Sequence, residues 1–480
     1  MKKKLNHDLT QKRETFERLH NKKLTSRREF LGAGLIPFSA YMVLPTWVEM
    51  FARSGEARAQ ELICKAAGTA DMAAFIGIKL SGGAGLSANF VPFRKDLQPL
   101  SSYSKMGLGL SSRFAISREF SNGAPFYDQS SLLTGVKQNA TLTTLLNSSF
   151  VGVCVRSQDD SSNNRFDVTG LVTKSGLNGK ILPNLGRSNT DTGANQVFAY
   201  LRPPAPLVVG RFEDVTGSLG VAGSLASLSA SQKAKLFQTV QGLTADQSRK
   251  LASQTGGEAL AKLIQCANID NTNLVANASA LNISPLANAA FATLWGINAQ
   301  TNTSSQAFVF ATMVYNAING NAGTVNLDMG GYDYHNGTRA TGDQRDLEAG
   351  VVIGRVLQSL AVMGKKGFVV VTSDGSVSSA ESNDPGSPWM SDRGSAGCAY
   401  MIAYDPAKPP VVTSFQLGQF TDPGQAADDN FIVGGSPEIA AGAIFANYLA
   451  FNGKSHLIEN YLPRVFTSAE LDMILKFTGA

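Results

Sequence analysis

The chain has 480 residues, with 42 lysines and arginines against 37 aspartates and glutamates. Residues 1–59 hold 12 of the basic and 6 of the acidic residues, which leaves 30 basic and 31 acidic residues in the other 421. Because the basic excess is confined to the amino-terminal segment, the rest of the chain lacks the charge of a nucleic-acid-binding protein. Hydrophobic residues make up 43% of the chain, enough for a sizeable buried core.

The amino-terminal segment has the pattern of an export signal. Residues 26–31 read Ser-Arg-Arg-Glu-Phe-Leu, which fits the S-R-R-x-F-L pattern of proteins that the twin-arginine translocase exports in a folded state. A basic stretch precedes this pattern, and residues 31–48 are mildly apolar. Residues 57–59 read Ala-Arg-Ala, which is typical of a signal peptidase site.

The alternative to a cleaved signal is a membrane anchor, since residues 31–48 nearly span a bilayer. Pro37 and Pro45 disfavour a stable spanning helix. We therefore expect a signal peptide over residues 1–59. The mature protein over residues 60–480 is expected to be periplasmic or secreted and not membrane-spanning, with the translocase as its partner during export.

The chain has four cysteines, Cys64, Cys154, Cys266 and Cys398. No two of them are close enough in sequence to form a C-x-x-C metal or redox pair. An oxidising compartment permits one or two disulfides, and the sequence leaves three complete pairings open. Cys154 and Cys398 stand in apolar runs that are typical of buried strands.

Strand and helix patterns alternate along the mature chain. Apolar runs predict buried strands at residues 72–80, 150–155, 366–374 and 399–404. Capping patterns predict helices that begin at Ser229, Thr244, Ser436 and Thr467, and a further helix is predicted over residues 344–363. We interpret residues 211–300 as a helical insertion that covers part of the fold, or as a lid. The alternation predicts an α/β fold in which a mostly parallel sheet has helices on both faces, a three-layer sandwich.

Polar residues stand at the carboxyl ends of the predicted strands. Asp333 and His335 are two residues apart, so in an extended segment both side chains lie on one face, as metal ligands often do. Asp374 ends the apolar strand of residues 366–374. The alternatives are that Asp333 and His335 pair with each other and cap the following loop, and that Asp374 caps the next element.

Three further residues are candidates for chemistry. Ser87, a hydroxyl that follows the glycine-rich turn after the first strand, is the candidate nucleophile. Asp392 and Arg393 are candidates for binding an anionic substrate, because a guanidinium matches phosphate or sulfate oxygens. The alternative for Asp392 and Arg393 is a surface ion pair. His456, which follows a predicted helix end, is interpreted as a surface histidine.

Three motifs resemble those of a known group. Residues 369–374, Val-Val-Val-Thr-Ser-Asp, resemble the V-V-x-T-S-D-H-G strand of the alkaline phosphatase–sulfatase superfamily. Residues 330–335, Gly-Gly-Tyr-Asp-Tyr-His, are similar to the G-W-D-T-H motif of one branch, the secreted proteins of domain-of-unknown-function family 1501. Residues 80–86, followed by Val91 and Pro92, look like that branch's L-x-G-G-A-D-G-L turn and its V-P. The three motifs occur in the order and spacing of the family, and the resemblance covers most of residues 70–455.

The resemblance implies an alkaline phosphatase-like sandwich with a divalent-metal cleft at the carboxyl ends of the strands. Enzymes of the superfamily use two metals to hold a phosphate or sulfate ester while a hydroxyl or a modified cysteine attacks it. Carried over residue by residue, the resemblance makes Asp333, His335 and Asp374 the metal ligands. The expected cofactor is a divalent metal such as zinc, manganese or calcium.

The chain departs from the family pattern at four places. The branch's G-E-F-G-R-T segment is not recognisable in residues 375–379, and its G-R-D-H-W segment is matched only by residues 391–394, without the histidine. Residues 83–85 lack the acid of the family turn, and Gly375 stands where the superfamily has a histidine. With few nitrogen ligands left, a single hard cation fits better than a zinc pair. Two hypotheses follow: a phosphate or sulfate ester hydrolase with a degenerate metal site, and a non-catalytic binding or assembly protein of the cell envelope. A glycan-binding surface of Asn- and Ser-rich loops is a third, based on composition alone.

Overall fold

The computed structural model describes part of the chain, in the following ranges: residues 72–94, 100, 116–156, 168–175, 177–179, 182, 184–187, 206–218, 229, 231–232, 235, 238–239, 242, 282–333, 335, 337–373, 376–379, 388–392, 397–421, 428 and 430–478. Several sequence predictions lie outside these ranges, namely those on the signal peptide of residues 1–59, Cys64, Thr244, Cys266, Asp374, Gly375 and Arg393.

An eight-stranded sheet forms the centre of the fold. In spatial order its strands are β12 (Gln416–Leu417), β4 (Ser148–Cys154), β11 (Cys398–Tyr404), β8 (Gly367–Ser373), β1 (Ala74–Leu80), β7 (Val325–Met329), β5 (Leu185–Gly186) and β6 (Leu207–Val208). Every neighbouring pair in this sheet is parallel except the two pairs that include β11. The predicted mostly parallel sheet is therefore confirmed, with one strand that runs against the other seven.

Among the residues described, two short antiparallel ribbons lie outside the main sheet: β2 (Ile116–Arg118) with β3 (Pro125–Tyr127), and β9 (Val377–Ser379) with β10 (Trp389–Asp392). The α-helices whose bounds lie within the described residues are α1 (Ser131–Asn139), α2 (Leu142–Leu146), α3 (Thr169–Ser175), α4 (Phe212–Ser218), α5 (Ala289–Trp295), α6 (Gln306–Ile318), α7 (Arg339–Met363), α8 (Pro437–Phe451), α9 (Ile458–Tyr461) and α10 (Ser468–Ile474). Short 3-10 helices occupy Leu86–Ala88, Pro285–Ala287 and Ser455–Leu457. Within the described ranges, no helix is long and apolar enough to cross a membrane.

Helices cover both faces of the sheet because its central strands are apolar on both sides. In β8, Val369 and Val371 belong to the core cluster that includes α1, α5, α6 and α7. Their neighbours Phe368 and Val370 belong to a second cluster, which includes α3, α8, α9 and α10. Buried parallel strands typically show this continuous apolar pattern. The layers are therefore helix, sheet and helix, which is compatible with the predicted three-layer α/β sandwich.

Several helix ends follow the predicted capping residues. Ser436 caps α8, Pro437 occupies its first turn, and Asn452 ends it. At α10 the Thr467–Glu470 capping box is present in both directions. The predicted box at Ser229 is also present, because Ser229 N–H donates to Gln232 Oε1 at 2.8 Å and Gln232 N–H donates to Ser229 Oγ at 3.3 Å.

Helix α7 begins at Arg339, five residues before the predicted start at residue 344. Its first five residues, Arg-Ala-Thr-Gly-Asp, include no large apolar side chain, so the apolar pattern begins later than the helix does. Thr338 is the N-cap, and its side chain accepts a hydrogen bond from Thr341 N–H at 3.4 Å. The helix start is thus determined by the cap rather than by the apolar periodicity.

The carboxyl end of the predicted insertion packs into the main core. Phe291 and Trp295 of α5 are buried, with 0% and 2% of their surface exposed. Trp295 Nε1–H donates to Ser359 Oγ on α7 at 2.9 Å. This segment therefore supports the same helical layer as α6 and α7.

Helices α1 and α7 cross at glycine residues. A Cβ atom placed on Gly350 would overlap the carbonyl oxygen of Leu132, and one placed on Gly354 would lie 2.6 Å from the carbonyl oxygen of Val136. Real Cβ atoms do not approach backbone so closely. The two helix backbones can therefore be this close only because these positions have no side chain.

We predict that Gly350→Ala lowers the free energy of unfolding by about 1–3 kcal/mol, because the added methyl forces the two backbones apart. Urea unfolding followed by circular dichroism measures this change. The matched control is Gly217→Ala on α4, where an added Cβ has no atom within 4 Å. That change is expected to leave stability unchanged or raise it by up to about 1 kcal/mol. Equal losses in the two variants would contradict the packing described for Gly350.

Candidate functional site

The loops that follow three neighbouring strands meet at one edge of the sheet. Strand β1 lies between β7 and β8, and all three are parallel, so their carboxyl ends point to the same edge. The turn after β1 is bonded to both neighbours: Ser81 N–H donates to the carbonyl of Met329 at 2.9 Å, and Ala84 N–H donates to Ser373 Oγ at 2.8 Å. The carboxyl edge of parallel strands is a common place for a site in α/β proteins.

The loop after β7 crosses directly over this turn. Tyr332 N–H donates to the carbonyl of Ser81 at 3.0 Å. Gly82 has a φ of 121°, and a Cβ at this position would overlap the backbone nitrogen of Asp333. Glycine is required at residue 82 both for its positive φ and for this close approach. This contact fixes the position of the Asp333 backbone next to the turn.

Asp333 and His335 form a pair at this edge. Asp333 Oδ1 and His335 Nδ1 are hydrogen-bonded to each other. The side chains are partly exposed, 48% for Asp333 and 21% for His335, so solvent reaches both. The two side chains thus pair with each other, which is the arrangement that the sequence analysis gave as the alternative to metal binding. A carboxylate oxygen and an imidazole nitrogen are also the donor types that bind divalent transition metals.

The other sequence candidates have different surroundings. Ser87 lies on the 3-10 helix Leu86–Ala88 and is only 2% exposed. Asp374 follows Ser373, whose hydroxyl donates to the carbonyl of Leu80 at 2.9 Å, but Asp374 itself lies outside the described residues. Asp392 ends β10, and its side chain is likewise outside them, as is Arg393. The beginning of β10 lies against the loop that follows β7, since Trp389 N–H donates to the carbonyl of Gly337 at 2.9 Å.

A second polar group at this edge was missed by the sequence analysis. Ser81 Oγ donates to Asp328 Oδ1 at 2.6 Å. Lys79 is 3% exposed and stands in register beside Asp328 on one side and Thr372 on the other. Side chains in register on adjacent parallel strands lie on the same face. A lysine inside the apolar run of residues 72–80 was the signal that could have identified this group.

A buried hydrogen-bond network ties the turn after β1 to the helical layer. Asn89 Nδ2–H donates to Asp346 Oδ2 on α7 at 2.7 Å and to the carbonyl of Gly85 at 3.3 Å. Ser130 Oγ, at the N-cap of α1, donates to Asn89 Oδ1 at 2.6 Å. Asn89 and Asp346 are each 2% exposed. Because a buried carboxylate is costly unless it is hydrogen-bonded, this network holds the turn and both helices together.

Arg339, the first residue of α7, is a buried cation. It directly follows the loop between β7 and α7 that contains Asp333, called the Asp333 loop below. Its guanidinium lies 6.0 Å from the ring centre of Tyr127 and 5.6 Å from that of Trp389. Its Nε is 3.8 Å from Asp343 Oδ2, and its Nη1 has no hydrogen-bond partner among the described residues. Burial raises the pKa of Asp343, and the charge of Arg339 partly offsets that rise. Burial also raises the pKa of Tyr127.

The donor set at this edge is incomplete within the described ranges. Across those residues, no three His, Cys, Asp or Glu side chains converge as a metal site requires. Asp333 and His335 supply one oxygen and one nitrogen donor, and the third expected ligand, Asp374, is not among the residues described. The two donors present are chemically suited to a divalent cation.

The fold and this edge define an α/β protein with a mostly parallel sheet and a polar group of side chains where the strands end. Comparison of the chain with protein-family models, curated proteins and solved structures gave no match in any of the three. The resemblance to domain-of-unknown-function family 1501 therefore rests on the motifs at residues 80–86, 330–335 and 369–374.

We predict that Asn89→Ala lowers the free energy of unfolding by about 2–3 kcal/mol, because it removes a donor from the buried Asp346 carboxylate. Chemical unfolding of the purified protein measures the loss. Asn460→Ala is the matched control, since Asn460 is exposed on α9, and its effect should stay within about 0.5 kcal/mol.

A double-mutant cycle with Asp346→Asn tests the same contact. We expect a coupling energy of about 1–2 kcal/mol between residues 89 and 346. Strictly additive effects would show that the two side chains do not stabilise each other.

Proposed function

We propose that this chain is an exported, divalent-metal-dependent hydrolase of phosphate or sulfate esters, built on an alkaline phosphatase-like scaffold with a reduced metal site. The Asp333–His335 pair carries the proposal: two metal-type donors, partly exposed, are held over the turn after β1. Ser373 ends the neighbouring strand and is bonded to the same turn, and Asp374 is the next residue in the sequence. The three motifs thus stand at the ends of three neighbouring strands, β7, β1 and β8.

In this proposal Asp333, His335 and Asp374 hold the cation. When bound, a divalent cation polarises the ester oxygens and lowers the pKa of a bound water. The cation would be zinc, manganese or calcium. Because only three protein donors are assigned, one ion fits the site better than the two used across the superfamily.

The chain's own residues have distinct roles toward an anionic ester. Arg339 provides a buried positive charge at the first turn of α7, where the loop that contains Asp333 ends. Asp392 and Arg393 are assigned to the substrate side of the same edge. Ser87 is buried, which favours water over the Ser87 hydroxyl as the nucleophile. Ser87 is then a packing residue under the turn.

A non-catalytic binding or assembly protein of the envelope is the second candidate. It is favoured by the two family positions that this chain lacks, the acid within residues 83–85 and the histidine at Gly375. An enzyme that lost these ligands could keep its sandwich and bind an anionic or glycan ligand at the same edge. The two candidates differ in whether metal is bound.

Export is part of the proposal in either case. The Ser-Arg-Arg-Glu-Phe-Leu pattern of residues 26–31 supports passage through the twin-arginine translocase, and residues 57–59 support cleavage. The mature protein would then act in the periplasm or outside the cell.

We predict that the mature protein, beginning at Gln60 and purified without chelator, contains near-stoichiometric divalent metal by elemental mass spectrometry. Asp333→Ala and Asp374→Ala should each lower the bound metal by about 10-fold or more, because each removes a ligand. Asp472→Ala is the matched control, since Asp472 is exposed on α10, and it should keep the metal.

Two results would overturn the hydrolase proposal. One is the absence of metal both as purified and after addition of Zn²⁺, Mn²⁺ or Ca²⁺. The other is equal loss of metal in Asp472→Ala and in the two site variants. Either result would leave the binding-protein candidate as the better one.

A further inference from the structure

Two cysteines face each other across the central sheet. Cys154 is the last residue of β4 and Cys398 is the first residue of β11. The two strands are antiparallel, and these two residues are direct partners in the register. Both are free thiols, buried with 0% and 6% exposure, and both belong to the same core cluster. The side chains are therefore on the same side of the sheet.

The hydrogen bonds at the two ends of this strand pair identify the kind of position that the cysteines occupy. Val155 N–H donates to the carbonyl of its direct partner Gly397 at 3.2 Å, and Asp405 N–H donates to the carbonyl of its direct partner Asn147 at 3.2 Å. Hydrogen-bonded and non-hydrogen-bonded pairs alternate along an antiparallel ladder. The register is unbroken between these ends, so both ends place the cysteine pair at a non-hydrogen-bonded position.

Non-hydrogen-bonded pairs bring the two backbones closest together. Their Cα atoms are typically about 4.5 Å apart, which lies within the range of about 4.4–6.8 Å that a disulfide accepts. The Cβ atoms in such pairs are typically about 4.5–5.5 Å apart, whereas a disulfide needs them at about 3.5–4.5 Å, so the two Cβ atoms must approach each other by up to about 1–2 Å. A bond between the two sulfurs therefore requires only a small adjustment of the strands.

We propose that Cys154 and Cys398 form a disulfide when the protein is in an oxidising environment, which fixes β11 to β4. Each cysteine loses its S–H hydrogen and one Sγ–Sγ bond forms. The two electrons and two protons pass to an external disulfide, small-molecule or protein, which is reduced to two thiols. Of the three complete pairings that the four cysteines allow, only one contains this bond.

The proposed disulfide lies at the carboxyl edge of the sheet, the same edge as the Asp333–His335 pair. Strand β4 ends at the carboxyl edge of the sheet, and β11 begins there because it runs in the opposite direction. The segment with Asp392 and Arg393 immediately precedes β11 in the chain. The disulfide therefore anchors the end of that segment, whether or not the protein binds metal.

Burial also determines when the bond forms. It raises the pKa of both thiols, Cys154 and Cys398. The thiolate is the species that attacks a disulfide, so the folded, reduced protein should react slowly. Oxidation should be fast while the strands are assembling and slow afterwards.

The experiment uses the protein beginning at Gln60, reduced, denatured and then refolded with reduced and oxidised glutathione. After the remaining thiols are alkylated, peptide mapping without reductant is expected to find the peptides of Cys154 and Cys398 linked. A refolded protein with a native circular dichroism spectrum in which both cysteines are alkylated would overturn the proposal. Linkage of either cysteine to Cys64 or Cys266 would overturn it too.

Two double variants complete the test. Cys64→Ser/Cys266→Ser is expected to keep the linked peptides and to melt about 5 °C lower when reductant is added, because the bond closes a loop of about 245 residues. Cys154→Ala/Cys398→Ala should melt at the same temperature with and without reductant, provided that it folds. If reductant has no effect on the first variant, the inferred bond is absent.

Discussion

The structure depends on the close backbone contact at the turn after β1. Gly82 adopts a positive φ and has the backbone of Asp333 against it, in the space that a side chain would fill. Hydrogen bonds from Ser81 and Ala84 join the turn to the ends of β7 and β8. Because these contacts involve backbone and one buried hydroxyl, they hold three connections in a single arrangement. The polar side chains at this edge are positioned by that arrangement.

Helix α7 transmits the same constraint to the rest of the fold. Its N-terminal end places Arg339 beside the Asp333 loop, and its buried Asp346 binds Asn89 just after the turn. Farther along, Gly350 lets α1 pack against it at backbone distance. One long helix thus connects the candidate site to the helical layer, so a change in its packing is expected to reach the site.

Local patterns allowed much of the fold to be predicted, because strands, caps and helix ends depend on nearby residues. The strands that contain Cys154 and Cys398 and the caps at Ser436 and Thr467 are of this kind. The reversed direction of β11, and the pairing of its first residue with the end of β4, depend on how distant segments meet. Lys79 stands out in the sequence as a lysine within an apolar run, but its partner Asp328 depends on the register between β1 and β7.

The most direct test of the account is to locate the metal. Crystals of the mature protein grown with Mn²⁺ would be measured near the manganese absorption edge, where an anomalous difference map identifies the ion. The account predicts a peak within coordination distance of Asp333 and His335, with Asp374 as a further ligand. It is contradicted if Asp333 and His335 are bonded only to each other in those crystals and any manganese peak lies elsewhere.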